Sequence, residues 1–459
     1  MPYPLQFAPF RPYIYTKNHD LPSPKTCNSA STPATNNIIL LVVNYHTRRR
    51  SMEVTGDNLL TPEDSNQIHG DILESIFNHV PLVDLVPASY VTKSWKLAVS
   101  TSLQGVGGRR RRCPNRIKPW LLIYTQNTRF PHSTTAHAYD PRSHVWIEIH
   151  EPSIKFISAL RSSHSTLLYM LSPSSLSLSY DPLHLTWHHI KAPLIWRIDP
   201  IVAMVGKRVI IAGGTCDFED DPLAVEMYDL ETCKWEMCES MPAILRESAS
   251  STWLSIAVNS NKNKMYVVEK STGVAYSFDP SIKAWQGPYH LRPPQTTSTI
   301  SHCFIGFANH DRLIFVGIIG DDIKSIKLWE VDGESLEVFR EIGEMPKQLV
   351  ERMKVISSED DAENMIYFGM PTPSSIGVSL MDDLVYIYIS SVGGAIIMCE
   401  ISGDGSGACS WTSVKNMSGI DIDRCKLTQG TVLGCSRVGL DDLDKALRER
   451  RKFHVKETV

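Results

Sequence analysis

One short pattern recurs through most of this chain and restricts its fold more than any other feature. An aromatic residue, an Asp and a Trp six positions after the Asp recur in four copies: Tyr139-Asp140…Trp146, Tyr180-Asp181…Trp187, Tyr228-Asp229…Trp235 and Phe278-Asp279…Trp285. A fifth copy, Val331-Asp332…Val338, lacks the Trp, and a sixth, Cys399 to Trp411, is lengthened by glycines. Consecutive Asp residues of the first five copies lie 41 to 53 positions apart, a period that suits the four-stranded blades of a β-propeller.

The chemistry of the repeat favours the same fold. We expect the Asp to begin a tight turn, because its carboxylate accepts backbone N–H groups and the Pro that follows it in three copies fixes φ. We expect the aromatic residue and the Trp to face each other across a hairpin and to pack blade against blade. Only part of the first blade is visible near residues 120–149, so the sequence predicts that Leu427 to Leu433 supplies its inner strand and closes the ring of six blades.

The segment before the repeats has helical periodicity. In its first half apolar residues recur every fourth position, with two more widening the stripe: Ile68, Ile72, Ile76, Val80, Leu73 and Phe77. Pro81 ends this helix, and a second one follows with Ala88, Val91, Trp95 and Ala98. A helical hairpin of about forty residues buries too little apolar surface to be robust alone, so we expect a partner to complete one of its faces.

These two parts resemble two known modules in a known order. The repeats resemble those of a kelch propeller, and the helical hairpin resembles an F-box through Ile72-Leu73, Ile76, Val80-Pro81, Leu85 and Val91-Thr92-Lys93-Ser94-Trp95. It departs from the F-box pattern at His69, where proline is usual, and at Thr92, where cysteine is usual. An F-box followed by kelch repeats is typical of a plant F-box/kelch-repeat protein family. The implied fold class is mainly β, a six-bladed kelch-type β-propeller preceded by a small all-α F-box helical domain.

The expected domain boundaries follow from composition and from these resemblances. Residues 1–63 are rich in Pro, Ser, Thr and Asn and are predicted to be disordered. The remaining segments are an F-box at 64–103, a basic flexible linker at 104–117, the propeller at 118–440 and a charged C-terminal tail at 441–459.

Composition and motifs exclude several classes of function. The net charge of −4 argues against a general electrostatic grip on nucleic acid, and the longest apolar run, Ile38 to Val43, is too short to span a membrane. The ten cysteines contain no CxxC pair, and no Walker loop, GxSxG or HExxH motif occurs. His188 and His189 are adjacent on a predicted strand and therefore point to opposite faces. We expect no metal, no cofactor, no catalytic residue and a cytoplasmic or nuclear location.

The resemblance implies a substrate-recognition subunit of a Skp-cullin-F-box type ubiquitin ligase, not an enzyme. The F-box would bind a Skp-family adaptor, and through it a cullin, while the propeller would bind a target protein for ubiquitination. Enzymes of phenylpropanoid and flavonoid synthesis are among the targets that the resemblance implies. Residues expected to take part in adaptor binding or in packing of the F-box are Ile68, Ile72, Ile76, Pro81, Leu82, Leu85, Val91 and Trp95.

Target binding is expected on the propeller face that carries the long loops. In a four-stranded blade, the loop between the second and third strands and the connection to the next blade emerge on the same face, and such loops usually carry recognition residues. The candidates are Asp217, Glu219, Asp220, Asp221, Arg246 and Asp321. Two alternatives stay open: a kelch scaffold outside any ligase, and a propeller enzyme or sugar binder with a ligand in its central channel.

Overall fold

Antiparallel β-sheets dominate the part of the chain that the structure describes, and six of them are arranged around a common axis. In the computed structural model the described residues are 70–104, 118–126, 134–150, 160–164, 166–181, 183–216, 220–293, 299–309, 311–333, 335–354, 372–389, 395–402, 409–415 and 432–456. The predicted disordered segment 1–63, Ile68 and residues 105–117 of the predicted linker 104–117 lie outside them, and Gln104 is the last residue of a helix.

Each sheet is one blade with its strands ordered from the hub outward. Blade 1 combines both ends of the propeller: β1 Pro119–Gln126, β2 Thr134–Asp140, β3 Val145–Ile149, β26 Val432–Arg437 and β27 Phe453–Lys456, in the order β26-β1-β2-β3-β27. Blade 2 has β4 Leu160–His164, β5 Leu167–Leu171, β6 Ser175–Ser179 and β7 His188–Lys191. Blade 3 has β9 Ile201–Val205, β10 Arg208–Ala212, β12 Val225–Asp229 and β13 Lys234–Met237, accompanied by a small pair, β8 Arg197–Ile198 and β11 Thr215–Cys216.

The last three blades follow one another without interruption by other sheets. Blade 4 has β14 Leu254–Asn259, β15 Lys264–Glu269, β16 Val274–Asp279 and β17 Ala284–His290. Blade 5 has β18 Ile300–Ala308, β19 Arg312–Ile319, β20 Ser325–Val331 and β21 Phe339–Glu344. Blade 6 has β22 Ile376–Met381, β23 Leu384–Ile389, β24 Ile396–Ile401 and β25 Cys409–Val414.

The innermost strands contact one another in a closed cycle, β26 to β4, β9, β14, β18, β22 and back to β26. Among the described residues, apolar clusters fill the spaces between blades 2 and 3, 3 and 4, 4 and 5, 5 and 6, and 6 and 1. The predicted six-bladed propeller is therefore confirmed, and the C-terminal strand β26 closes it by pairing with β1. A ring closed in this way leaves only short, protected inner edges around the central channel.

The aromatic residue and the Trp of the repeat make the predicted contact in blades 1, 3 and 4. The aromatic residue and the Trp pack across the hairpin with ring centroids 5.3 Å apart in blade 1, 5.1 Å in blade 3 and 5.0 Å in blade 4. Each of these Trp side chains also donates from Nε1 to a backbone carbonyl at or just beyond the end of the outer strand of the preceding blade, as Trp146 does to Lys415 at 2.8 Å. The repeat thus ties neighbouring blades together, because one side chain both stacks within its own blade and bonds to the preceding one.

Two blades correct the prediction. In blade 5 the residue opposite Val331 is Phe339, not Val338, because the turn is one residue longer, and Phe339 packs against Phe315 at 6.0 Å. In blade 2, Tyr180 stacks on His188 at 4.8 Å and lies outside the strand, so it does not face Trp187 across the hairpin. Blade 6 keeps the predicted pairing of Cys399 with Trp411.

The closing strand and the C-terminal segment also differ from the sequence-based expectation. Within the described residues, the strand that pairs with β1 is Val432–Arg437, which overlaps the predicted Leu427 to Leu433 at its last two residues and continues to Arg437; residues 427–431 lie outside the described residues. The fully buried Cys435 of this strand packs with Leu121 in the core between blades 6 and 1. Leu440 to Phe453, for which the sequence indicates a short charged helix or a tail, contains a helix, and it is followed by a strand that was not expected, β27, the outermost strand of blade 1, which pairs with β3. Residues 357–370, for which the sequence indicates an insertion, lie outside the described residues.

Five α-helices are described: α1 Gly70–Phe77, α2 Leu82–Ala88, α3 Lys93–Gln104, α4 Lys347–Lys354 and α5 Leu440–Arg448. Short 3₁₀ helices lie at Ala243–Ser248 and Pro373–Ser375. The first three helices and the propeller belong to one compact unit. None of the described helices is long and apolar enough to cross a membrane.

Candidate functional site

The three N-terminal helices have their own small core. Phe77 and Trp95 meet edge to face with ring centroids 5.3 Å apart, and Thr101 Oγ1 donates to the Glu74 carboxylate at 2.6 Å, so α1 and α3 pack along their length. Thr92, which departs from the F-box pattern, caps α3 because its Oγ1 accepts the N–H of Trp95 at 3.1 Å. The departure therefore has a structural role in this chain.

The predicted adaptor-binding residues divide into two groups. Pro81, Leu82, Leu85 and Trp95 are buried inside the chain, and Ile76 is half-buried. Ile72 and Val91 are exposed, and so are Tyr90 and Leu97, which sequence reasoning did not single out. These four side chains are 47 to 66% exposed, and we refer to them as the exposed helical face.

The buried group is covered largely by the first blade. The Arg142 guanidinium donates to the carbonyl oxygens of Phe77 at 2.7 Å and Val80 at 3.1 Å, at the end of α1. The Asp140 carboxylate accepts the Leu82 N–H at 3.3 Å, at the start of α2, and the Arg142 N–H at 2.9 Å. The turn of the first repeat copy is thus a clamp that holds both helices against the propeller.

The C-terminal segment completes this attachment. Helix α5 packs on α2, and the Tyr90 hydroxyl donates to Asp444 at 3.0 Å and accepts from Arg448 at 3.2 Å. Beyond α5, Arg451 donates to the carbonyl oxygens of Leu183 and His184 in blade 2. The helices and the first two blades are therefore joined by contacts from both ends of the chain.

The predicted target-binding face is built by loops that touch one another. Ile198 in the connection from blade 2 to blade 3 pairs with Thr215 in the loop between β10 and β12. The N–H of Gly214 in that loop donates to the carbonyl of Ala249 at 2.9 Å, in the connection from blade 3 to blade 4. The second-to-third-strand loop and the flanking connections of blade 3 therefore share one face, as the strand directions predict.

Only some of the predicted target-binding residues come together there. Asp217 and Glu219 lie outside the described residues. Asp220 is half-buried, and Asp221 accepts from Leu223 N at 3.0 Å and from Ser240 Oγ at 2.7 Å. Arg246 is exposed on the following 3₁₀ helix, whereas Asp321 lies two blades further around the ring, in the turn after β19.

Sequence reasoning missed the apolar residues of this face. Leu194, Trp196 and Ile198 alternate with inward-facing residues between Pro193 and Pro200, a period of two that indicates an extended segment with one exposed side. Ile244 and Trp253, in the next connection, are also exposed. The alternation was available in the sequence, but the pairing that fixes its exposed side was not.

The central channel contains a cavity of about 680 Å³ lined by the inner strands. Lys270 lies at its wall, where its Nζ donates to the Thr252 carbonyl at 2.7 Å and sits 5.3 Å from the centre of the Phe304 ring. Burial lowers the pKa of Lys270 to about 8 and that of His164, on the same wall, to about 4. Among the described residues, no three His, Cys, Asp or Glu side chains are grouped closely enough to hold a metal ion.

Adjacent histidines in blade 2 have separate partners. His188 stacks on Tyr180, and His189 Nδ1 shares a hydrogen bond with Ser177 Oγ at 2.8 Å. Each histidine ring therefore has a partner within its own blade.

Comparison with known proteins gives one clear relation. The chain is 42% identical over 402 residues to an F-box/kelch-repeat protein of Arabidopsis thaliana, an alignment that covers 85% of this chain and 95% of the relative. No protein-family model matches the chain. The similarity spans both the helices and the propeller, because it extends over nearly the whole length of the relative.

Proposed function

The chain belongs to the F-box/kelch-repeat family, and from that premise we propose that it is the target-recognition subunit of a Skp-cullin-F-box ubiquitin ligase. The family and the propeller fold support an F-box substrate adaptor, in which one part binds the ligase and the other a substrate. In our proposal the exposed helical face docks on a Skp-family adaptor, and the loop face of the propeller holds a protein to be ubiquitinated. The chain itself then catalyses no bond formation.

The observation that carries this proposal is the exposed helical face. Ile72, Tyr90, Val91 and Leu97 are large apolar residues left uncovered on a segment that is otherwise well packed. Blade 1 and α5 contact the helices elsewhere and, in the exposed group, reach only the hydroxyl of Tyr90, so these apolar side chains are free to meet a second protein. A group of exposed large apolar side chains on a soluble protein often marks an interaction site.

Binding to a recombinant Skp-family adaptor tests the proposal directly. We expect Ile72→Asp to weaken the complex by at least about 30-fold, because a charge then replaces an apolar contact residue worth about 2 kcal/mol or more. Ile282→Asp is a matched control, since Ile282 is 60% exposed and Ile72 is 53% exposed, but Ile282 lies in the outer turn of blade 4.

Three results would decide between the candidate functions. Loss of adaptor binding in Ile72→Asp with retention in Ile282→Asp supports the ligase subunit. Absence of adaptor binding by the unaltered chain would favour a kelch scaffold outside any ligase. Unchanged binding by Ile72→Asp would place the docking surface elsewhere. Enzymes of phenylpropanoid and flavonoid synthesis are the targets that we propose to test first against the propeller.

A further inference from the structure

The loop face of the propeller carries a compact group of exposed apolar side chains over blades 2 to 4. We call it the connection-face patch, and its members are Leu194, Trp196, Ile198, Ile244 and Trp253, which are 37 to 68% exposed. Two of the five are Trp, the residue most enriched among side chains that dominate binding energy at protein interfaces. A group of large apolar residues on one face calls for an explanation, whereas single exposed ones do not.

Hydrogen bonds bring these residues together although they come from two separate connections. The Asp199 carboxylate accepts the Ser251 hydroxyl at 2.5 Å and the Thr252 hydroxyl at 2.7 Å. Ile198 is next to Asp199 in the sequence and Trp253 is next to Thr252, so this contact holds the two apolar residues close together. Gly214, whose N–H donates to Ala249, holds the 3₁₀ helix that carries Ile244 close to the same point.

A buried ion pair orders the backbone that carries Leu194, Trp196 and Ile198. Arg197 points inward between Trp196 and Ile198, and its Nη2 donates to Glu226 Oε1 at 2.6 Å with both side chains almost wholly buried. Arg197 also donates to the carbonyl of Ala224 at 2.6 Å, and Glu226 accepts the N–H groups of Leu194 at 2.5 Å and Ile195 at 3.1 Å. The exposed side chains therefore stand on a backbone that is already ordered, which reduces the entropy lost when a partner binds.

Two glycines restrict the conformation of the loop between β10 and β12, which lies under the patch. Gly213 and Gly214 have φ of +68° and +92°, and a Cβ at Gly213 would lie 2.2 Å from the Ala249 carbonyl oxygen. Only glycine fits such a position, so the close approach of the loop to the next connection is built into the sequence.

The surroundings of the patch are acidic. Beside the Arg197–Glu226 pair, the described parts of residues 194–200, 213–224 and 243–253 contain four carboxylates: Asp199, Asp220, Asp221 and Glu247. The neighbouring basic side chains are Arg246 and Lys270, whose Nζ donates to the Thr252 carbonyl at 2.7 Å, so carboxylates outnumber cations by four to two. An apolar centre with an acidic border is complementary to an apolar segment that carries basic residues.

We propose that the connection-face patch recognises the target protein through a segment in which aromatic or leucine-like side chains are flanked by Lys or Arg. The inference rests on the proposed function and adds the chemistry of the substrate. A membrane fits this surface poorly, because the carboxylates would be repelled by anionic lipid headgroups. A second copy fits poorly as well, because a symmetric contact would place the same carboxylates opposite one another.

The test is selection of random peptides displayed on phage with the purified full-length chain as bait. We expect enriched peptides to combine aromatic or leucine-like residues with Lys or Arg. Ile198→Asp should weaken their binding by at least about 30-fold, and reversing Asp220 and Asp221 to Lys should weaken it by about tenfold with a smaller dependence on salt. Ile282→Asp serves as the matched control, because Ile282 and Ile198 are 60 and 63% exposed.

Failure of this inference can be told apart from failure of the proposed function. Ile198→Asp should still bind the Skp-family adaptor, and Ile72→Asp should still bind the selected peptides. The inference is overturned if no peptide is enriched, if the enriched peptides are acidic or purely polar, or if Ile198→Asp binds them as tightly as the unaltered chain. It is also overturned if Ile198→Asp instead abolishes dimerisation in solution or binding to vesicles of phosphatidylserine and phosphatidylcholine.

Discussion

Replacing Arg142 by alanine removes the hydrogen bonds by which the first blade holds the F-box helices. The guanidinium donates to Phe77 O at 2.7 Å and to Val80 O at 3.1 Å, two carbonyls at the end of α1. A hydrogen bond to a charged group contributes about 1.5 to 3 kcal/mol. Because Arg142 is only half-buried, the lower value applies to each bond, and the attachment of the helices should weaken by about 3 kcal/mol.

Hydrogen exchange measured by mass spectrometry on the full chain separates this local effect from global unfolding. Protection of residues 82–104 should fall on the order of a hundredfold, because each 1.4 kcal/mol corresponds to a factor of about ten in the opening equilibrium. Protection of the inner strands of blades 3 to 5 should not change. The buried residues Leu85 and Trp95 still hold the helices together, so the far-ultraviolet circular dichroism should also stay the same.

Glu231→Ala is the matched control for Arg142→Ala. Glu231 occupies the same position in the turn of the third repeat copy, two residues after its Asp, but its carboxylate pairs only with exposed Lys207 at 2.5 Å. Exposed pairs contribute about 0 to 1 kcal/mol, so this variant should leave the helices fully protected. Unchanged protection of residues 82–104 in Arg142→Ala, or an equal loss throughout the propeller, would refute the argument that the first turn clamps the helices.

Three further perturbations test other parts of the structure. Arg197→Met leaves Glu226 buried without its cation and should lower the free energy of unfolding in urea by about 3 to 5 kcal/mol. The double variant with Glu226→Leu should restore only part of it, because the Leu194 and Ile195 N–H groups then lose their acceptor. Burial lowers the pKa of Lys270 from 10.5 to about 8, so the folded chain loses this proton at a lower pH than the unfolded chain does. The thermal stability should therefore rise between about pH 8 and pH 10.5, and Lys270→Met should abolish this rise. Tyr90→Phe removes the hydroxyl that joins α2–α3 to Asp444 and should increase hydrogen exchange in α5 by less than about tenfold.

The sequence predicts the blades well because each repeat copy is a local hairpin. Tyr228 and Trp235 are seven residues apart, and Asp229 between them accepts the N–H groups of Glu231 and Thr232, so turn, strands and stacking are encoded within a few positions. The one-residue error in blade 5 has the same origin, since a longer turn moves the aromatic partner to Phe339. Local chemistry fixes what lies across a short turn but not the length of that turn.

Contacts between distant segments were less predictable for a physical reason. The closing strand pairs Leu121 with Cys435, and a shift by a few residues would still place apolar side chains on the buried face, so periodicity does not determine the register. The outermost strand β27 alternates apolar and polar residues, Phe453-His454-Val455-Lys456, but four residues that follow a charged helix are too short a run to indicate a strand. Its pairing with β3 depends on a neighbour about three hundred residues earlier in the chain.

The same limit explains which F-box residues face outward. The small size of the helical segment predicts that a partner must cover part of it, and the sequence offers no way to tell a partner protein from a distant part of the chain. The structure shows that Leu82 and Leu85 are buried, where the Asp140 carboxylate and α5 meet α2. Of the large apolar side chains in residues 70–104, those of the exposed helical face remain uncovered. This is why we propose that face for the adaptor, beside the clamp that joins the helices to blade 1.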